Sequence, residues 1–285
     1  MSGRVSGKVA FITGVARGQG RSHAIRLAEE GADIIGVDVP RPIDDMPYPL
    51  GTQEELDETI ELVRKLGRRI VAKPADVRDR DAMRRVVDEG VAELGRLDIV
   101  VANAGICPLG PTPPGTFLDV LDVDLVGVIN AYNVAYPHLP DGASMIATGS
   151  VAGLVQGTVD NPATGPGGAA YSLAKRTIAE LTRDLAIALA PRRIRVNAVH
   201  PTNVDTPLLH NDPMYRQFRP DLEAPTREDA MAAFPAMQAM PIPFIEPADV
   251  SEAVLFLASD ASRYVTGMQM RVDAGSVAKQ MPRSL

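Results

Sequence analysis

Tryptophan is absent from the sequence, cysteine occurs once, at Cys107, and aromatic residues make up only 4% of the chain. A single thiol excludes a disulfide framework and a cysteine metal cluster. The four histidines, His23, His138, His200 and His210, show no metal-ligand spacing, so no metal is expected. No apolar run reaches the roughly 18 residues that a membrane span needs. The opening MSGRVSGKVAF has no apolar signal core. Positive charge is also in short supply. The net charge is −7 with acids and bases interspersed, which argues against nucleic acid or an anionic membrane as the main partner. The expectation is a soluble cytoplasmic protein.

What is present is an alternation. Strand-like apolar runs occur at 8–13, 33–38, 69–74, 97–103, 143–149 and 194–200, with a weaker seventh at 268–273. Helical patterns lie between them; after residue 52, Leu56, Ile60 and Val63 fall on one face of a 3.6-residue period. Strands that are continuous apolar runs are buried on both faces, which means a parallel sheet between two layers of helices. Residues 1–285 read as one domain with two elaborated loops, 39–52 and 205–246. The first loop, VPRPIDDMPYPLGT, is long beside the ~2–6 residues usual between strand and helix. Thr52 and Glu55 give it a capping-box ending.

The first strand runs into TGVARGQG, with glycines at 14, 18 and 20, and then a helix. In that setting glycines allow a tight turn and let backbone N–H groups approach a pyrophosphate at the helix N-terminus. The second strand ends in Asp38, placed to accept hydrogen bonds from adenosine ribose hydroxyls and to repel a 2′-phosphate. These features predict a doubly wound Rossmann sheet of about seven strands that binds NAD, with NADP less favoured. Arg17 and Arg41 are the counter-evidence, since either could reach a phosphate. Further on, MIATGS delivers Ser150 to the carboxyl end of the fifth strand, the edge at which open parallel sheets bind ligands. Tyr171 and Lys175, four residues apart, share one helix face.

TGVARGQG, the NAG of 103–105, Ser150, the Tyr171/Lys175 pair and HPTNVDTP occur in the order of the short-chain dehydrogenase/reductase family, which the chain resembles over nearly its whole length. The resemblance implies an alcohol dehydrogenase or reductase. Tyr171 would be the general acid/base, with Lys175 and the oxidised nicotinamide favouring its phenolate. Lys175 would also hold the nicotinamide ribose, and Ser150 would position the substrate oxygen. The implied cofactor-binding set is Gly14, Arg17, Gly18, Gln19, Gly20, Asp38, Val39, Asp76, Val77, Asn103, Ala104, Gly105, Tyr171, Lys175, Pro201, Val204 and Thr206. The chain departs from the family at three places. Asp124 stands where members usually carry a proton-relay asparagine, and it reads either as part of an altered relay or as a surface acid. Thr202 replaces a glycine. The segment VQGTVDNPATGPGG lies between Ser150 and Tyr171 and reads as a loop.

PYPLGTQEELDETIELV resembles the mycofactocin-associated, carveol-dehydrogenase-like subfamily. That resemblance implies a secondary alcohol or ketone substrate, often terpenoid. It also implies an inserted loop that covers NAD and hinders its exchange, mycofactocin as the redox carrier, and a homotetramer. The second loop, 205–246, contains Met214, Met231, Met237 and Met240 with Phe218, Phe234 and Phe244, and reads as an adaptable apolar lid over the substrate. The helical stretch Leu125–Tyr136 has no charged residue, which suggests burial against the sheet on one side and a partner subunit on the other. Two alternatives stay open: an ordinary dehydrogenase with freely exchanging NAD(P), and a non-catalytic NAD-binding sensor.

Overall fold

The computed structural model describes residues 3–44 and 46–280. In chain order it contains β1 (Val9–Thr13), α1 (Gly18–Glu29), β2 (Asp33–Asp38), α2 (Gln53–Lys65), β3 (Ile70–Pro74), α3 (Arg80–Leu94), β4 (Ile99–Ala102), α4 (Thr116–Leu121), α5 (Gly127–Ala135), β5 (Ser144–Thr148), α6 (Gly165–Leu189), β6 (Arg195–Pro201), α7 (Asp212–Phe218), α8 (Arg227–Ala233), α9 (Pro247–Ala258), β7 (Gln269–Val272) and α10 (Ser276–Gln280). The strands form one parallel sheet in the order β3-β2-β1-β4-β5-β6-β7. This is the doubly wound sheet expected from the apolar runs. Its strand order reverses between β1 and β4, and the crevice at the carboxyl ends there is where such sheets bind ligands.

Side chains of β1 and β5 are buried on both faces. One layer of core places Met83, Val87, Ala131 and Ile178 from α3, α5 and α6 on the sheet; the other places Leu27, Val254 and Leu255 from α1 and α9. A third, smaller cluster joins Cys107 and Leu109 to Leu209, Met214, Tyr215 and Phe234. The 205–246 segment is therefore not an irregular loop. It folds into α7 and α8 because it has its own apolar seam.

Helix α2 begins as expected: Glu55 N–H donates to Thr52 Oγ1 (3.2 Å) and Thr52 N–H to Glu55 Oε2 (2.9 Å). Between α4 and α5 the turn Asp122–Val126 is π-helical, so 116–135 is one rod with a bulge that carries Asp124 inward. In the uncharged stretch after Leu125, Val128, Ala131, Val134 and Ala135 are covered by α3 and the sheet of the same chain, while Val126 and Tyr136 stay exposed. One expectation needs correction. The end of the segment read as a loop before Tyr171 is not a loop: Gly165–Gly168 forms the first turn of α6. A Cβ at Gly165 or Gly167 would fall 2.0 Å from a carbonyl oxygen of Gly110 or Pro108. Here glycine serves a close packing of helix on backbone, not a flexible link.

Candidate active site

The turn from β1 to α1 depends on glycine at Gly14 (φ 71°) and Gly18 (φ 56°), where side chains are disfavoured. Gly20 packs behind the turn, since a Cβ there would meet Gly14 O at 1.9 Å. No side chain caps α1, so its first amides face the groove without helical partners. At the end of β2, Asp38 accepts from Ala16 N–H through Oδ2 and from Val39 N–H through Oδ1, both at 2.7 Å. Burial pushes its carboxyl above the usual range, against the pull of those amides and of Arg17. Asp76 is buried, which opposes ionisation, but Arg78 grips it at 2.8–3.1 Å and holds its carboxyl below the usual range. Asn103 ties three strand ends together: its amide donates to Thr13 O (3.1 Å) and its oxygen accepts from Thr148 Oγ1 (3.2 Å).

All the residues expected to bind cofactor or to act in catalysis line one cavity of about 540 Å³, except Gly20. At the end that holds Ser150 and Tyr171, Lys175 Nζ donates to Thr148 O at 3.0 Å and lies 3.1 Å from Asp124 Oδ2. Both side chains are buried, Asp124 completely, and Asp124 Oδ1 accepts from Ile106 N–H at 2.8 Å. The surface-acid reading of Asp124 is thus overturned. Gly105 makes room for the pair, since a Cβ there would come 2.8 Å from Asp124 Oδ2. Burial raises the Asp124 carboxyl, against the pull of Lys175 and the Ile106 amide. Burial also pushes the Tyr171 phenol up; Cys107 and Asp124 add to this, and a hydrogen bond with Ser150 only partly opposes it. The expected lowering by Lys175 is therefore missing in the protein alone. The Lys175 ammonium stands 5.3 Å from the Tyr171 ring centroid, but its charge is matched by Asp124.

The 39–52 segment extends further than its sequence position suggested. At the Asp38 end, Arg17 Nη2 donates to Pro49 O (2.6 Å), and Gly51 lies so close that a Cβ would be 3.5 Å from Asp38 Oδ1. Arg41 approaches Asp76 Oδ2 at 3.5 Å. At the other end the buried Tyr48 hydroxyl accepts from Cys107 N–H at 2.7 Å, in the part of the cavity that Asp124 and Tyr171 line. The segment is a strap along the groove. Sequence reasoning missed the Tyr48–Cys107 contact because nothing in the spacing of residues 48 and 107 signals it. Prolines on either side of Tyr48 were the only hint of a fixed conformation. Across the cavity, Leu209, Met214, Phe218 and Met237 form an apolar wall with Gln217 among them. Met240 does not contribute, being 57% exposed. His210 pins the wall at its base through Asp205 Oδ1 (2.6 Å) and Tyr215 Oη (3.2 Å).

Residues 14–276 match the family model described as enoyl-(acyl carrier protein) reductase. A short-chain type dehydrogenase/reductase of Mycolicibacterium smegmatis is 53% identical over 98% of this chain and 100% of its own length. The chain belongs to the short-chain dehydrogenase/reductase family. Another member, the (−)-trans-carveol dehydrogenase of Rhodococcus erythropolis, is 49% identical over 97% of this chain and 99% of its own. The crystal structure of carveol dehydrogenase from Mycobacterium avium in complex with NAD superposes with a TM-score of 0.90, at 47% identity, covering 97% of this chain and 99% of that one. In this short-chain dehydrogenase/reductase, no group of His, Cys, Asp and Glu among the described residues could hold a metal ion. No helix among them is long and apolar enough to cross a membrane.

Proposed function

We propose that the chain is an NAD-dependent oxidoreductase that moves a hydride between a secondary alcohol, or its ketone, and the nicotinamide. The observation that carries this reading is the meeting of Ser150, Tyr171 and Lys175 at one end of a cavity whose other end is the glycine turn and Asp38. The groove suits a dinucleotide on its own evidence: Gln19 Oε1 and Thr202 Oγ1 are buried in it without protein partners. NAD is preferred to NADP because Asp38 offers a carboxylate, while Arg17 and Arg41 are engaged with Pro49, Glu55 and Asp76. The NAD complex of the Mycobacterium avium relative supports the same choice. When bound, NAD⁺ supplies the hydride acceptor and a positive charge. Ser150 then holds and orients the carbinol oxygen. Tyr171, as the phenolate that the positive charge of NAD⁺ favours, would take the hydroxyl proton as the hydride leaves the carbinol carbon, and would give the proton back in the direction of reduction. Lys175 holds the ribose and keeps Asp124 balanced. The wall of Leu209, Met214, Phe218 and Met237 excludes water and favours an apolar, terpenoid-sized alcohol of the carveol type. Single-turnover absorbance of reduced nicotinamide, with a panel of secondary alcohols, tests this. The expected result is formation of NADH with cyclic terpenoid alcohols. NAD bound without hydride transfer from any alcohol would favour the sensor reading.

The strap supports a finer proposal. A proline-rich segment loses less entropy on ordering than a flexible one. Anchored at Arg17, Asp38 and Cys107, it hinders release of NAD, so the cofactor is reoxidised in place by a small redox carrier, mycofactocin. NAD(H) is expected to copurify, added NAD to support little turnover, and a small artificial electron acceptor to restore it. Shortening 40–51 to a brief turn is expected to allow turnover with free NAD. Protein that purifies empty and cycles freely with added NAD(P) would return the ordinary dehydrogenase reading. The assembly proposed is a homotetramer, built on the exposed Leu118, Val126, Tyr136, Leu173 and Ile187. A monomer mass in light scattering at micromolar concentration would refute it.

A further inference from the structure

Strand β5 ends in Thr148, Gly149 and Ser150, and this end is held from two sides. Lys175 donates to Thr148 O on one side. On the other stands His200, fully buried at the penultimate position of β6. It lies so close to Gly149 that a Cβ there would be 2.4 Å from the imidazole. His200 Nδ1 is 3.2 Å from Ser150 N and 3.0 Å from Ser150 O, and its Nε2 is 2.7 Å from Gln269 Oε1.

The neighbours decide which ring nitrogen carries the proton. Gln269 Nε2 donates to Ala179 O (3.1 Å) and Gly267 O (3.4 Å), so the amide oxygen is the atom facing His200. An amide oxygen only accepts, and therefore His200 Nε2 carries hydrogen. Burial pushes the imidazole toward its neutral form. Nδ1 is then a bare lone pair, and it accepts the Ser150 N–H. The Ser150 carbonyl does not need the ring, because Gly153 N–H donates to it at 3.0 Å. The Ser150 side chain meanwhile accepts from Ala152 N–H at 3.1 Å and caps the short turn Val151–Gly153. Peptide and side chain of Ser150 are thus both fixed, the first by His200.

We infer that His200 is a positioning residue for Ser150, the link in a chain from α6 through Gln269 and the imidazole to the Ser150 peptide. The inference rests on the reading of Ser150 as the group that orients the substrate oxygen. A histidine that merely fills the core would serve equally well through either nitrogen, and that difference makes the role testable. His200→Asn keeps an acceptor at the Nδ1 position and loses the Nε2 donor. His200→Gln does the reverse. In the NAD-loaded protein, His200→Gln is expected to lower the single-turnover rate at saturating alcohol by at least about tenfold, since a misplacement near 1 Å can cost roughly a hundredfold. His200→Asn is expected to stay within about threefold of wild type by the same reasoning. NAD content is expected to match wild type in both. Equal rates in the two variants, or the opposite order, would overturn the role.

A measurement on the wild type needs no variant to fold. With ¹⁵N-labelled protein, scalar coupling between the Ser150 amide nitrogen and an unprotonated Nδ1 is expected across the hydrogen bond. A protonated Nδ1, or no coupling, would overturn the assignment. Coupling in a protein that reduces no NAD with any alcohol would instead overturn the reaction proposed for Ser150, and with it the purpose of the contact.

Discussion

Each end of the groove contains a carboxylate, half-buried Asp38 at one and fully buried Asp124 at the other, and the two are stabilised by different means. Asp38 is held by two backbone amides, of Ala16 and Val39. Asp124 is held by one amide, of Ile106, and by the ammonium of Lys175. Amides are neutral dipoles, so Asp38 remains a net negative charge that can accept from ribose hydroxyls and repel a phosphate. Asp124 lies 3.1 Å from the Lys175 ammonium, and as a carboxylate it would cancel that charge and leave its end of the groove close to neutral. Tyr171 shows the consequence. Within the protein alone its partly buried phenol is pushed up, toward the neutral form, by burial and by its neighbours. The same residue type is thus placed to select a ligand at one end and to cancel a cation at the other.

The largest effect is expected at the phenol. Tyr171→Phe keeps the ring and its packing and removes the group proposed to exchange the proton. Hydride transfer is expected to fall by about 10²–10⁴-fold with bound NAD unchanged, the range that general acid–base catalysis supplies. Turnover within about tenfold of wild type would put the proton elsewhere, and the neutrality of the catalytic end would lose its significance.

Next is the carboxylate whose charge is left free. Asp38→Ala removes hydrogen bonds to a charged acceptor, worth about 1.5–3 kcal/mol, so NAD affinity is expected to fall roughly 10–100-fold. NADP should lose less, since the repulsion also disappears. Calorimetric titration of cofactor-free protein with both nucleotides checks the ratio. An unchanged preference for NAD would mean that the charge at this end does not select.

The same contrast separates what the sequence disclosed from what it concealed. The sheet was legible because seven continuous apolar runs leave few alternatives. The glycine turn, Asp38 and Ser150 were legible because each sits at a strand end, and Tyr171 and Lys175 because four residues put them on one helix face. The state of Asp124 was not legible. A one-residue π bulge in the rod 116–135 turns it inward, and helical periodicity has no signal for such a bulge. The reach of Tyr48 to Cys107 was hidden for another reason: it joins residues 59 apart in sequence through a backbone N–H, which every non-proline residue carries. Likewise Gly165–Gly168 read as a loop by composition, whereas the tight approach of α6 to Pro108 and Gly110 requires those glycines.

The strap links the two ends, and its contact at the catalytic end can be removed alone. Tyr48→Phe leaves the ring in place and the Cys107 N–H without an acceptor. An unpaired buried donor costs about 1–3 kcal/mol, and relaxation brings the expected loss toward the lower half of that range. Release of NAD, followed by exchange against labelled NAD, is expected to quicken about five- to thirtyfold. An unchanged rate would show that the strap is held only at its Arg17 and Asp38 anchors.

The smallest effect is expected where the two carboxylates differ most. Asp124→Asn leaves an acceptor for the Ile106 N–H but no charge to offset Lys175. Two influences on Tyr171 then change in the same direction. The direct repulsion of a phenolate by Asp124 vanishes, and Lys175 acts on the phenol uncompensated. Both favour the charged phenolate, so the acidic limb of the pH profile for alcohol oxidation, on which the rate rises with pH, should move to lower pH. A displacement of about half to one pH unit is expected, which at a fixed pH on that limb is about three- to tenfold in rate. The sign depends on Asp124 being ionised. Burial pushes its carboxyl upward while Lys175 pulls it down. Were the carboxyl protonated over the working range, Lys175 would already be unbalanced in the wild type, and the substitution would leave the profile where it is. A pH profile of kcat/KM for the two proteins, with a slowly reacting alcohol so that chemistry limits the rate, therefore reports the charge of Asp124 itself. A shift to lower pH means that the catalytic end is neutralised by an ion pair. No shift means that Asp124 itself is neutralised by a proton, with Lys175 left unbalanced.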